Sequence, residues 1–244
     1  MENKQTLFDV CLQTTAAFEG ASFDTITNSF DGQGLSLGIL QFNIGTGSFR
    51  DYILNSVNVM YYDYFPAPIT PLQSLNNKDA VNWVKDVVLD NIGNVKPEWN
   101  AAFKRFLTEP AIVNQQKRAC DKYFHQAKCI SSKLGFSHEN LRAMMFSFDL
   151  AVQSWSLLID RPEPNNLQAE HIKELGTTEN YIWWVDKALT EEQQVLLIAA
   201  HLRSLRCKPE FRMAFFTRKA TIAIGCGIVH GKRYDFKKLF STEC

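Results

Sequence analysis

Seven apolar side chains at helical spacing constrain this chain more than any other feature. Leu141, Met144, Met145, Phe148, Val152, Trp155 and Ile159 fall on one face of a helix drawn over 138–159. A 3.6-residue period held that long means a helix with one stripe buried against neighbours. Arg161-Pro-Glu-Pro164 closes it, because proline offers no N–H and clashes with the preceding turn. The same period predicts helices over 3–18, 78–91, 97–107, 111–134, 179–188, 191–206 and 209–219. Strand signal is confined to 34–43 (GLSLGILQFN), a short, apolar, glycine-interrupted run that reads as a bent strand or hairpin. Gly45-Thr-Gly-Ser48 then supplies a turn and an N-cap for a helix to about residue 57. The stretch 61–71 is a tyrosine- and proline-rich loop, and 225–231 is irregular or a small hairpin. The fold class is therefore mainly α (α+β). With 244 residues, 45% of them apolar, the chain can bury a sizeable core as one domain over 1–244. That length also suits two lobes sharing a cleft. No apolar run approaches the ~18 residues of a membrane span.

Charge adds a second constraint. The 26 basic and 26 acidic side chains cancel, but residues 1–100 hold five basic and eleven acidic groups, and 201–244 hold ten and three. A solvated basic face that offsets the acidic half accounts for this. No zinc-finger spacing or RNP-like aromatic motif points to nucleic acid. The six cysteines form no CxxC pair and do not cluster with histidine at zinc spacing, so neither metal nor cofactor is implied. Cys120 and Cys129 fall on roughly opposite faces of their helix and should not pair; free thiols are expected outside an oxidising compartment. The opening MENKQTLFDVCLQTTAAFEG is polar where a signal peptide needs an apolar run. The expectation is a protein made in the cytoplasm that leaves by a route needing no cleaved leader.

The chemistry concentrates in 18–48, FEGASFDTITNSFDGQGLSLGILQFNIGTGS. Glu19 ends the first helix, and Asp31 opens the glycine-rich β element twelve residues later. Twelve extended residues reach about 40 Å, so a polar loop folding back can set the two carboxylates on opposite walls of a cleft. Glycoside hydrolysis needs such a pair: one acid to protonate the leaving oxygen, one carboxylate to activate water or attack directly. Alone, a helix-terminal Glu and a turn Asp are ordinary solvated residues.

The surrounding pattern changes that. Asp31-Gly-Gln-Gly-Leu-Ser36, Gly38-Ile-Leu-Gln-Phe42 and Gly45-Thr-Gly47, after an upstream Glu, resemble the signature of family 46 chitosanases, relatives of the lysozyme superfamily. Phe146-Ser-Phe-Asp149-Leu-Ala-Val-Gln153 and the stretch 218–231 resemble motifs of peptidoglycan-active relatives. The resemblance implies a two-lobed lysozyme-like fold with a small β hairpin beside the cleft. It implies Glu19 as general acid, Asp31 as general base of an inverting mechanism, and Ser36 as the hydroxyl that places the water. Gln41, Asn43, Thr46 and Gln153 would line the glycan groove, and Asp149 with Arg218 would form a supporting network. The LQFN strand is closer to the muramidase relatives, and the Glu–Asp spacing is shorter than in typical chitosanases.

Other residues weigh less. Asp149 lies in an apolar stretch, where a structural ion pair with Arg142 or Arg218 is the plainer expectation. None of the five histidines sits at ligand spacing, and no GxSxG elbow offers a serine nucleophile. Trp183-Trp184 and the 61–65 tyrosine cluster could stack on sugars, though core packing is the plainer role for the tryptophans. The expected function is a muramidase acting on peptidoglycan glycan strands in the periplasm. Resemblance to the muramidase domains of type VI secretion effectors and phage lysins implies delivery by injection or lysis. An effector would come with an immunity protein plugging the cleft. A chitosanase, and a non-catalytic glycan-binding protein of the same fold, are the rival readings.

Overall fold

The computed structural model describes residues 6–29, 32–57, 63–178, 188–236 and 239. Among them run helices α1 (Leu7–Phe18), α2 (Ser48–Tyr52), α3 (Pro71–Ser74), α4 (Asn77–Trp83), α5 (Pro97–Thr108), α6 (Pro110–Lys133), α7 (Leu141–Ser154), α8 (Asn166–Thr178), α9 (Glu191–Ser204) and α10 (Pro209–Ile224). Strands are β1 (Ile26–Ser29), β2 (Gly34–Leu37), β3 (Phe42–Asn43), β4 (Cys226–Val229) and β5 (Lys232–Asp235). The protein is thus mainly helical with small antiparallel sheets, as expected. No helix of the described residues is long and apolar enough to cross a membrane. The chain divides into two compact units, Glu19–Asp121 and Met1–Phe18 with Lys122–Cys244.

In the unit Glu19–Asp121, the strands pair in the order β1-β2-β3, with Thr27 and Asn43 flanking Ser36. Every residue of β2 is buried, so it reads as a continuous run rather than an alternating one. β1 was not legible in its sequence: ITNS has one strong apolar residue and gains its strand geometry from pairing with β2. The helix expected over 48–57 is α2 followed by a 3₁₀ turn, Leu54–Ser56. α4 passes into a π turn at Val84–Val88. Phe65, Trp99 and Phe103 pack ring to ring with Phe106 and Phe49 in the core, Phe65 and Phe103 edge-on at 5.0 Å. Each such buried ring is worth about 1.5–3 kcal/mol.

In the other unit α7 is the central helix, buried from Ala143 through Ala151 and packed by α1, α9 and α10. Phe8, Phe124 and Phe148 interlock across α1, α6 and α7. α7 is shorter than the predicted 138–159. Asn140 caps its start by accepting from Ala143 N, and Trp155, at φ 62°, turns the chain out of the helix. α8 falls where the sequence predicts no helix; Asn165 starts it by accepting from Gln168 N at 3.0 Å. Most of the predicted helix over 179–188, with Trp183 and Trp184, lies outside the described residues. α10 continues past the predicted 219, because burial of Thr221, Ile222 and Ile224 overrides their weak helix propensity. Gly225, at φ 95°, ends it, and a hairpin follows through His230-Gly231, both at positive φ.

Candidate active site

Glu19 stands exposed in the turn immediately after α1, followed by Gly20 at φ 64°. Asp31 falls between β1 and β2 in the chain and lies outside the described residues. Three other predicted residues come together in the sheet. Ser36 Oγ accepts from Asn43 Nδ2 at 3.0 Å, and Asn43 Oδ1 accepts from Thr46 N at 2.9 Å. Ser48, which the sequence marks as an N-cap, instead turns its hydroxyl to Asn43, accepting from its backbone N at 2.7 Å. Thr46 Oγ1 lies 3.2 Å from Ser48 Oγ. The result is a polar ledge running Ser36–Asn43–Thr46–Ser48, with Ser36 nearly buried and Thr46 exposed. Gln41 sits in the β2–β3 turn at φ 52°, a conformation few non-glycine residues adopt.

The ledge is held from behind by Gln116, which sequence reasoning missed. This buried side chain accepts from Ile39 N at 3.0 Å and donates to Leu107 O at 3.0 Å and Phe23 O at 3.2 Å. Gly38 makes room for it: a Cβ there would overlap the Gln116 amide, and φ is 76°. A polar residue in an amphipathic helix carries no sequence mark that distinguishes this role from solvation.

The other unit gathers a second set. Asp149, fully buried, accepts from Arg218 Nη2 at 2.6 Å and Lys219 Nζ at 2.5 Å. Of the two arginines weighed as partners, Arg218 is the one. Arg142 pairs with Glu192 at 3.2 Å and donates to Ala223 O. Lys219 also donates to Gln153 Oε1, so the predicted Gln153 joins the network while remaining exposed. One carboxylate thus faces two buried cations. Aromatic faces take up part of the surplus: Lys219 lies over Phe215 at 4.5 Å and Arg218 over Phe18 at 5.4 Å. Burial by itself would push the Asp149 carboxyl up. The ammonium of Lys219 and the guanidinium of Arg218, with their hydrogen bonds, outweigh it and hold the carboxyl below the usual range. Phe18 is further pinned by Tyr234, edge-on at 4.8 Å, whose hydroxyl donates to Ala17 O at 2.6 Å. Arg218 and Tyr234 therefore fix the end of α1, the residue before Glu19.

Among the described residues no group of three or more His, Cys, Asp or Glu could hold a metal ion. No disulfide joins the described cysteines. No sequence profile of a known protein family matches this chain, nor does any curated protein sequence. Among solved structures, the fold is similar to that of a mutant chitosanase from Bacillus subtilis MY002 complexed with six GlcN. The TM-score is 0.48 and the identity 14%, over 91% of this chain and 87% of that one.

Proposed function

We propose that this protein is a lysozyme-like glycoside hydrolase that cleaves β-1,4 bonds in the glycan strands of peptidoglycan. Glu19 is the general acid and Asp31 the general base. The observation that carries the reading is the polar ledge Ser36–Asn43–Thr46–Ser48, which belongs to the same compact unit as Glu19 and follows Asp31 in the chain. Asn43 occupies one lone pair of Ser36 Oγ and leaves its O–H to donate. A water accepting that hydrogen bond and giving one proton to Asp31 keeps a lone pair for the anomeric carbon. Glu19, as the acid, gives its proton to the departing oxygen. An inverting reaction follows, which needs carboxyl groups about 6.5–9.5 Å apart. Thr46 and Gln41, in the same unit, offer side-chain groups to sugar hydroxyls and amides.

The basic segment 201–244 suits peptidoglycan, whose lactyl and peptide carboxylates make it anionic. Chitosan, a polycation, is the second reading, favoured by the eleven acidic against five basic groups of residues 1–100. Motif resemblance to effector muramidases supports delivery to a target cell wall, with an immunity protein protecting the producer. Mass spectrometry of sugar ends released from purified sacculi tests the reading. New reducing ends at N-acetylmuramic acid are expected, with the α-anomer formed first by proton NMR. Anhydro sugars as the main product would make it a lytic transglycosylase, and cleavage of chitosan but not sacculi would favour the second reading.

A further inference from the structure

In the unit formed by Met1–Phe18 and Lys122–Cys244, the ends of α6 and α9 and the segment after α7 enclose an open cavity of about 690 Å³. Its apolar lining includes Leu158, Leu202 and Leu205 beside Ile159 and Pro162, and its cations are Lys133, Arg161 and Arg206. Leu158 is 54% exposed and Leu205 49%. Leu158 also holds φ 58°, a left-handed conformation that a leucine seldom adopts. Neither backbone preference nor core packing explains a leucine presented this way.

The cationic wall is built rather than incidental. Arg161 Nε donates to Leu134 O at 2.8 Å, and its Nη2 meets Glu191 at 3.3 Å. Gly135 leaves room for it: a Cβ there would lie 2.9 Å from Arg161 Nε. The one carboxylate lining the cavity, Asp160, is fully exposed and reaches Lys133 only at 3.8 Å. Arg206 has no side-chain hydrogen bond or ion pair among the described residues. The volume suits a small ligand or a few residues of peptide, of order 300–1,000 Å³. A glucosamine polymer would bring neither a negative charge for the arginines nor methyl groups for the leucines. A peptide that alternates carboxylates with small apolar side chains brings both.

We propose that this cavity binds a short acidic peptide bearing alanyl side chains. In the peptidoglycan reading, on which this assignment of the occupant rests, it is the stem peptide of the glycan substrate. Leu158 and Leu205 cover the alanyl methyls, while Arg206 and Arg161 face the carboxylates. The protein then grips the strand by its stems as well as by its sugars.

The test is calorimetric titration of the intact protein with synthetic L-Ala-γ-D-Glu-meso-diaminopimelyl-D-Ala. Binding at one site is expected, weakening with salt, and weakened about tenfold or more by Arg206→Glu and by blocking the peptide carboxylates as amides. Leu158→Asp should have a similar effect; if it fails to fold, Arg206→Glu and the amidated peptide still decide. Absence of peptide binding, or an affinity that neither Arg206→Glu nor amidation changes, overturns the assignment. With substrate, Arg206→Glu should raise KM on stem-bearing glycan and leave cleavage of amidase-stripped glycan unchanged. If no glycan is cut in either form, the peptidoglycan reading falls, whereas the titration judges the cavity independently.

Discussion

Asp149 shows how much one carboxylate can be made to do. It sits at zero exposure against the ammonium of Lys219 and the guanidinium of Arg218. Removing it takes away the carboxylate that both buried cations share. Asp149→Asn should therefore cost about 3–5 kcal/mol at neutral pH. The pH dependence follows from the direction of its shift. A carboxyl held low when folded, against about 3.9 when unfolded, stabilises fully above that value and ceases to as pH falls through the lower folded one. Urea denaturation from about pH 7 down to pH 2 should show the gap between wild type and Asp149→Asn closing below about pH 4. A gap that stays constant to the lowest pH would show that the carboxylate is not what the cations rely on. Part of this is legible in the sequence: an Asp inside an apolar helix requires a buried partner, and Arg142 and Arg218 are the arginines that suit. Lys219 is not legible, because a second cation beside the first reads as redundancy until the helix turns both inward.

At the scale of elements, the β2–β3 turn carries the ledge, and its geometry depends on a residue from α6. Gly38 lies at φ 76° where a side chain would displace the Gln116 amide, so the turn and the helix fit only through glycine. Gly38→Ala should lose about 2–4 kcal/mol, combining a strained left-handed alanine with the broken Gln116–Ile39 hydrogen bond. It should also lower turnover, since Ser36 and Asn43 flank that turn. A variant as stable as wild type in chemical denaturation, with equal activity, would remove Gln116 and Gly38 from the account. The long helices were readable because their apolar period is strong, as in α6 and α7. β1 and α8 were not: both are short on apolar residues and take their shape from a pairing strand or from an Asn cap. The glycine-dense run 34–47 did announce a β element, and strands β2 and β3 lie there.

For the whole molecule, the sequence separates two tasks that the structure keeps in different units. Glu19 and the ledge belong to Glu19–Asp121, while the Asp149 network belongs to Met1–Phe18 with Lys122–Cys244. The polarity of charge along the chain, acidic in 1–100 and basic in 201–244, follows the same broad division. The central claim is that two carboxylates near the start of the chain perform the chemistry, and that all else holds or feeds them. Its most direct test is turnover of purified sacculi by Glu19→Gln and by Asp31→Asn, each checked by circular dichroism. Both variants should fold as wild type and lose about a thousandfold or more in rate, as removal of an essential acid or base requires. Near-wild-type hydrolysis by either folded variant would contradict the account.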